Sequence, residues 1–336
     1  MIYFFITLFF LNLIIFLNFD KFKNKLIQDL PDTNRKKHKV NTPLFGGILL
    51  IGNFFIYIII FYFYFFNYLQ SDLSLNSIGE TFTFSIYILL IFLIGLYDDK
   101  YNLSASIKAT LLLSIIFFTV YYNPNLQIQN IRLEFIDLSF WLGDFSFIFT
   151  VIIIFFYINA LNLYDGIDLQ IGGYLMVIFI FFILKGIILS LSICLIISLI
   201  FFLILNSKSK TFMGDSGVYF SSALISYVMI ISYNKTIINS EEVILLTLIP
   251  IADCIRLFFT RILLNKNPFN ADNNHIHHRL NTFFGKTKTA TITFLMMIVP
   301  LFIYYTNQID FKILLLLLIF FYILIITGLK KLLKFY

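Results

Sequence analysis

Apolar stretches long enough to cross a lipid bilayer dominate the sequence, and they leave few folds open to the chain. Hydrophobic residues make up 60% of the 336 residues and charged residues only 12%, whereas soluble domains carry about 25% charged residues. A soluble core could not bury so much apolar surface. Because a helix needs about 20 apolar residues to span a bilayer, the sequence predicts an all-α, polytopic membrane helix bundle with about eleven transmembrane helices. The predicted spans are 1–19, 44–67, 81–97, 107–123, 145–160, 171–186, 187–205, 217–233, 242–264, 290–306 and 311–329.

Local signals refine three of these spans. The first has no basic residue before it and no small-residue cleavage site, which predicts a retained helix rather than a signal peptide. Lys185 and Gly186 divide 171–205 into two spans. Pro250 lies inside span 242–264, and because proline kinks helices, we expect this helix to break near it. No linker divides the chain, so 1–336 is predicted to be a single domain.

The distribution of basic residues predicts the orientation in the membrane. The loop at 20–43 is rich in Lys and Arg, and alternation of spans places 98–106, 159–170, 206–216 and 265–289 on the same side. Cytoplasmic loops carry this excess, so we expect the N-terminus outside and the C-terminus in the cytoplasm. Alternating polar and apolar residues at 128–135 predict a small hairpin on the outer side.

Two adjacent carboxylates, Asp98 and Asp99, end the third span. They repel each other unless a cation or a proton intervenes. A solvated helix end is the simpler interpretation, and a site for a divalent metal or a phosphate-linked proton is the functional one.

Asn159, Asn162, Asp165, Gly166 and Asp168 form a second polar group on the cytoplasmic side. The two asparagines lie three residues apart and face the same way on a helix, and the glycine suits a sharp turn. Oxygen ligands without a basic neighbour indicate bound Mg²⁺.

A third group, Gly214-Asp215-Ser216-Gly217, stands directly before a span. Backbone amides at a helix start can hold phosphate. A simple polar turn is the alternative.

The fourth group contains His275, His277 and His278 in one cytoplasmic loop. A histidine string can hold Zn²⁺, but no Cys lies nearby, and the neighbouring Arg261 and Arg279 suit an anion. We interpret the loop as an anion-binding segment, with a metal site and a plain loop as alternatives.

The basic first loop carries His38 and continues into Pro43 and two glycines. Membrane anchoring explains most of its charge. His38 and the glycines also fit a loop that holds a diphosphate or a lipid phosphate.

One reaction would use all five segments, because phosphoryl transfer needs mainly positioning and neutralisation of charge. A membrane location indicates that one substrate is a lipid. A transporter would place its ionisable groups near the midplane, whereas these acids lie at span ends. A transporter, a membrane scaffold and a protein that binds these substrates without turnover are the alternatives.

In this order the five segments resemble the polyprenyl-phosphate N-acetylhexosamine-1-phosphate transferase family, glycosyltransferase family 4. Phospho-MurNAc-pentapeptide translocase and the transferases that begin O-antigen and teichoic-acid synthesis are members. The resemblance extends from Arg35 to Arg279. The matching strings are RKKHKVNTPLFGG, GLYDDKYNLSASIKAT, NALNLYDGID, FMGDSG and PFNADNNHIHH. Two positions depart from the family pattern: Leu169 stands where the family usually has glycine, and Val218 where it often has serine. Both bear on loop geometry and sugar choice.

The resemblance implies a bundle of ten or eleven helices around a cytoplasmic cleft, with a broken ninth span. It implies that Asp215 is the main ligand of Mg²⁺, which Mn²⁺ can replace. It also implies catalytic roles for Asp98, Asp99 and Asp165, with Asp98 a candidate base. Together with the motifs, it indicates a set of substrate-binding residues: His38, Lys108, Asn159, Asn162, Asp168, Arg261, His275, His277 and His278.

The implied activity is transfer of an N-acetylhexosamine-1-phosphate from a UDP-sugar to polyprenyl (undecaprenyl) phosphate, with release of UMP. The HIHH and HKVNTP strings are more similar to the N-acetylglucosamine-1-phosphate branch than to the muramyl-pentapeptide branch. The expected place is the cytoplasmic (inner) membrane, at the first membrane step of cell-envelope polysaccharide synthesis. The expected partners are the UDP-N-acetylhexosamine, the lipid and the membrane, without nucleic acid; a homodimer is left open.

Overall fold

The structure, a computed structural model, describes residues 1–30, 41–73, 77–265 and 275–332. His38 and most of the loop that precedes His275 lie outside the described residues. The helices are α1 (Ile2–Leu17), α2 (Phe19–Phe22), α3 (Gly46–Tyr64), α4 (Phe66–Asp72), α5 (Ile78–Tyr101), α6 (Ala105–Tyr122), α7 (Ser146–Tyr164), α8 (Gln170–Leu184), α9 (Leu189–Asn206), α10 (Gly214–Asn234), α11 (Ser240–Leu263), α12 (Ile276–Tyr305) and α13 (Phe311–Leu332). Strands β1 (Gln28–Asp29) and β2 (Thr42–Pro43) pair with each other, as do β3 (Asn130–Leu133) and β4 (Leu138–Trp141).

The predicted all-α membrane bundle is confirmed. Within the described ranges, nine helices are long and apolar enough to cross a membrane, and α1 with its continuation, bent by 58°, would make ten. Helix α8 has only 15 residues, fewer than the roughly 20 that a perpendicular span needs. The count of eleven therefore stays a prediction. The division of 171–205 into two helices is confirmed, since α8 ends at Leu184 and α9 begins at Leu189.

The predicted break at Pro250 is wrong. Helix α11 continues through Pro250 to Leu263. A proline removes one backbone hydrogen bond from a helix, and packing in the bundle can compensate for that loss. Leu246 and Leu257, on either side of Pro250 in the same helix, are both buried. The interruption lies instead at Gly285 in α12, where φ is 76° and ψ is 168°. Glycine takes this conformation without the clash that a Cβ atom would cause. The histidine segment therefore forms a short helix of its own before the second half of α12.

Helix α10 is the centre of the bundle, and nearly all of it is buried. Glycines let the neighbouring helices approach its N-terminus closely: a Cβ atom on Gly47 of α3 would lie 2.4 Å from the Gly217 nitrogen, and one on Gly95 of α5 would lie 2.5 Å from the Ser216 Cα. Small residues permit this kind of contact between membrane helices. The sequence around Asp215 is consequently held between α3 and α5.

The two ends of the bundle differ in character. The β3–β4 hairpin, predicted from the alternation at 128–135, is confirmed; it pairs Asn130 with Trp141. It is attached to the C-terminal end of α10, where the Arg132 N–H donates to the Tyr233 hydroxyl (2.6 Å). The acidic segments gather at the other end, around the N-terminus of the same helix.

We expect the acidic end of the bundle to face the cytoplasm and the hairpin to face outward. A reporter fused after Leu280 should read cytoplasmic, and one inserted near Asn130 should read external, because Lys and Arg are concentrated in the loops of the acidic end. Accessibility of single cysteines at both places measures this independently. Labelling of both positions from the same side would contradict the orientation.

Leu169 has a left-handed backbone conformation, with φ of 70°, at the start of α8. The left-handed region costs an L-residue about 1–2 kcal/mol, and glycine adds about 0.4–1 kcal/mol of chain entropy to the unfolded state. Leu169→Gly should therefore change the free energy of unfolding by less than about 1 kcal/mol. Leu175→Gly, at a fully buried position of the same helix, should cost about 3 kcal/mol or more. Thermal unfolding in detergent compares the two, and equal losses would contradict strain at Leu169.

Candidate active site

Asp98 is buried at the C-terminal end of α5, with 2% of its surface exposed. The helix ends at Asn102, which has left-handed φ and ψ, and the Leu103 N–H then donates to Asp98 Oδ1 (2.8 Å). Asp98 Oδ2 forms an ion pair with the Lys108 ammonium group from α6. The turn between α5 and α6 thus brings an acid and a base together.

Asp99 caps the N-terminus of α10 from a different helix. Its Oδ1 accepts the Asp215 N–H (2.7 Å), and its Oδ2 accepts the Ser216 N–H (3.1 Å) and the Ser216 hydroxyl (2.6 Å). A carboxylate at this place satisfies free amide groups and the positive end of the helix dipole. Asp99 therefore fixes the position of Asp215, although the two residues are far apart in sequence.

Asp215 lies between an amide and the ammonium group. The Asn162 side-chain amide donates to Asp215 Oδ1 (2.8 Å), and Lys108 Nζ lies 3.6 Å from Asp215 Oδ2. Lys108 is therefore shared by two carboxylates, those of Asp98 and Asp215. Four residues that the sequence singled out, from α5, α6, α7 and α10, meet at this point.

Asp165 completes the acidic group directly after α7. Burial, together with the negative charges of Asp215, Asp168 and Asp99, raises the pKa of its carboxyl to about 8. Such a carboxylate is ionised at neutral pH only beside a cation. Oxygen donors from Asp165, Asp215 and Asn162 are the ligand type that Mg²⁺ prefers, so the residues present fit a magnesium ion.

Two of the predicted substrate-binding residues have other contacts. Asp168 Oδ2 accepts the Ser209 hydroxyl (2.5 Å) and the Lys286 ammonium group (2.7 Å), which joins the α7–α8 loop to the α9–α10 loop and to α12. The Asn159 amide donates to the Phe155 carbonyl of its own helix (2.7 Å). The hydrogen bond of Asn159 stays within its own helix, and Asp168 contacts Ser209 and Lys286 rather than Asp215 or Lys108.

The histidine segment packs against the loop that carries Asp165. His277 is fully buried, and a Cβ atom on Gly166 would lie 1.9 Å from its Nε2; only glycine fits there. His275 Nδ1 lies 2.9 Å from Asp253 Oδ2, His278 is half-buried, and Arg261 is buried in the last turn of α11. His277 thus adjoins the acidic group through Gly166, and the other two histidine rings pack against His277.

One group of side chains could bind Zn²⁺, the alternative that the histidines raised: Asp253, His275 and His277. Ligand atoms of Asp253, His275 and His277 lie within 4.8 Å of one another. However, Arg256 Nη2 lies 2.7 Å from Asp253 Oδ1. The charge of Arg256, bonded directly to the carboxylate, opposes a dication at the same place. Lys108 lies farther from Asp215 Oδ2, at 3.6 Å, and opposes a dication there less strongly. The histidine trio therefore favours a role other than metal binding.

A cavity of about 770 Å³ lies next to Asp168, whose carboxylate contacts two of its lining residues, Ser209 and Lys286. Four lysines line it: Lys23, Lys208, Lys210 and Lys286. Asp20 pairs with Lys23 (2.7 Å), and Asp168 pairs with Lys286 (2.7 Å). The cavity wall keeps an excess of positive charge, which suits an anionic substrate.

Sequence reasoning did not assign a site role to Asp253, Arg256 or Lys286. A signal for the first two existed, because an acid and a base three residues apart inside an apolar span imply a buried ion pair. Lys286 carried no signal, since it looked like one more basic residue of a cytoplasmic loop.

Comparison with known proteins identifies a family and several relatives. The model of the family described as glycosyl transferase family 4 matches residues 81–233. A probable undecaprenyl-phosphate N-acetylglucosaminyl 1-phosphate transferase of Bacillus subtilis is 32% identical over 262 residues, which cover 75% of this chain and 69% of that protein. Undecaprenyl-phosphate alpha-N-acetylglucosaminyl 1-phosphate transferases of Escherichia coli O157:H7 and Yersinia pestis are each 28% identical, over 73% of this chain and 66% and 67% of those proteins.

The fold and the site therefore define a multi-pass membrane glycosyltransferase. The chain belongs to glycosyl transferase family 4, the polyprenyl-phosphate N-acetylhexosamine-1-phosphate transferases.

Proposed function

We propose that this protein transfers N-acetylglucosamine-1-phosphate from UDP-N-acetylglucosamine to a polyprenyl phosphate and releases UMP. The relatives' names support the sugar and the undecaprenyl carrier. The observation that carries the proposal is the meeting of Asp98, Lys108, Asn162 and Asp215 at one end of an apolar bundle. The site would face the cytoplasm, where nucleotide sugars are made.

The lipid phosphate would bind at Lys108. This lysine is partly exposed, whereas its partner Asp98 is buried, so an incoming phosphate could approach the ammonium group from the open side. Asp98 would then orient the phosphate or accept its remaining proton. Lysine serves such sites as a point charge for phosphate.

The bond changes balance without a further reactant. An oxygen of the lipid phosphate attacks the β-phosphorus of the UDP-sugar and forms a new P–O–P bridge. The bond from the β-phosphorus to the bridging oxygen breaks, and UMP leaves with that oxygen. The sugar keeps its own phosphate, and the lipid becomes a polyprenyl-diphospho-sugar.

Asp215 and Asp165, with Asn162, would hold Mg²⁺, or Mn²⁺ in its place. When bound, the ion supplies neutralisation of the diphosphate charge. The lysines of the cavity and the histidine segment would hold the UDP-sugar from the other side. Asp99 would act on the reaction by keeping Asp215 in place.

A two-step route, in which an aspartate first takes the phospho-sugar, would use the same carboxylates. We favour the direct route because Lys108 already lies between the two acids that would serve the lipid and the nucleotide.

The test is release of UMP by the purified full-length protein from UDP-N-acetylglucosamine, with polyprenyl phosphate and Mg²⁺. UDP-N-acetylgalactosamine and UDP-glucose serve as comparison donors. Release of UDP instead of UMP would overturn the reaction class. A stoichiometric burst of UMP without lipid, with label retained on the protein, would overturn the direct route.

A further inference from the structure

Asp253 lies inside the apolar helix α11 and is the point where three helices are joined. Its Oδ1 accepts Arg256 of the same helix (2.7 Å) and the Tyr322 hydroxyl of α13 (3.0 Å). Its Oδ2 faces His275 Nδ1 (2.9 Å) and the Ile276 N–H at the start of α12 (3.2 Å). Only 2% of Asp253 is exposed.

Burying the charged side chain of Asp253 costs free energy, and the stability of the bundle does not need a charge at this position. A carboxylate in a membrane helix is expensive, and an apolar residue could pack the same space. Arg256 offsets the charge, but its guanidinium group occupies Oδ1. The other oxygen is left for the histidine segment, which indicates that the acid serves that segment.

The contact to His275 determines which ring nitrogen carries a proton. A carboxylate accepts, so Nδ1 must donate, and the ring is either the Nδ1–H tautomer or the imidazolium ion. In both cases the ring is fixed in orientation and its Nε2 points away from Asp253. Carboxylates that hold a histidine in this way are a common means of orienting a functional imidazole.

The fixed ring is coupled to the acidic group by packing. The rings of His275 and His277 stack with centroids 5.4 Å apart and an interplanar angle of 13°. His277 in turn contacts Gly166, next to Asp165. The bond to the Ile276 N–H also anchors the first turn of α12.

We propose that Asp253 is a positioning residue: it holds His275 with Nδ1 protonated and so fixes the histidine segment where the UDP-sugar diphosphate binds. This rests on the proposed function. Arg256 and Tyr322 hold the carboxylate itself in place.

Asp253→Asn should weaken UDP-N-acetylglucosamine binding about 10- to 100-fold, which corresponds to one lost hydrogen bond to a charged group. An asparagine has one acceptor oxygen and cannot serve both Arg256 and His275. The Kd, measured by calorimetry on the detergent-solubilised protein without lipid, reports this independently of turnover. Asp137→Asn, in the hairpin at the opposite end of the bundle, is the control, because it makes the same chemical change away from the histidine segment; it should change the Kd less than about threefold.

The double variant Asp253→Asn/His275→Ala separates positioning from general stability. If Asp253 acts through His275, the double variant should bind no more weakly than His275→Ala alone. Additive losses would overturn the proposal, as would an unchanged Kd in Asp253→Asn.

A further test observes the His275 ring in the wild-type protein and does not depend on the Asp253→Asn variant folding. In ¹⁵N-histidine spectra of the four-histidine chain, the signal lost in His275→Ala should belong to a ring with protonated Nδ1. A bare Nδ1 would overturn the proposal. Normal UDP-sugar binding without UMP release would overturn the proposed function and leave the role of Asp253 standing, whereas absence of binding would overturn both.

Discussion

Asp215→Asn should lower the rate of UMP release by at least about 10³-fold and leave the protein folded. The substitution removes the negative charge of a metal ligand but keeps its size. The backbone N–H at this position would still donate to Asp99. Initial rates at saturating UDP-sugar, together with thermal unfolding in detergent, measure the two effects separately.

Asp137→Asn is the control for this experiment. Asp137 lies in the hairpin at the opposite end and has a left-handed φ of 53°, which asparagine also tolerates. Its activity should equal that of the wild type. EDTA should stop the wild-type reaction, and Mg²⁺ or Mn²⁺ should restore it. Activity of Asp215→Asn within threefold of wild type would exclude the metal role, and restoration by Zn²⁺ alone would favour a metal at the histidines.

Asp98→Asn should lower kcat by about 100-fold or more, the contribution expected of a positioned acid–base group. The KM for the UDP-sugar should change little, because Asp98 faces Lys108 and the proposed lipid phosphate rather than the cavity that would hold the nucleotide. Equal losses in kcat and in kcat/KM are the kinetic sign of an interaction made only in the transition state. Steady-state kinetics with both substrates varied will measure this.

The neighbouring Asp99→Asn provides a contrast within one helix turn. Asp99 accepts three hydrogen bonds from the start of α10, and each bond to a charged group contributes about 1.5–3 kcal/mol. Asp99→Asn should therefore lower the melting temperature as well as the rate, whereas Asp98→Asn should lower mainly the rate. The same melting temperature for both variants would contradict this division of roles.

The strongest sequence prediction was the acidic site itself. Asp98, Asp165 and Asp215 could be singled out because a charged group at the end of an apolar span is costly and needs a reason. Their proximity could be expected because alternating spans return to the same face. The division at Gly186 and the hairpin followed from local patterns that need no partner.

The features that the sequence did not predict all depend on contacts with other helices or loops. Pro250 indicated a break by itself, but α11 continues through it, and the interruption lies at Gly285 of α12. Asp99 looked equivalent to Asp98 in sequence, yet its oxygens face α10. The substrate-binding role of Asp168 stays a prediction, and only the structure shows that its carboxylate joins two loops to Lys286.

The sequence by itself determined the membrane class, the order of the helices and the chemical types of the site residues, because hydropathy and charge act locally along the chain. Only the tertiary structure decided which carboxylate faces Lys108, which one caps α10, and that Asp253 holds His275. Each of these is a contact between different helices: α5 with α6, α5 with α10, and α11 with the start of α12. Its direction depends on how α5, α10, α11 and α12 pack, and periodicity in a single helix contains no information about that packing.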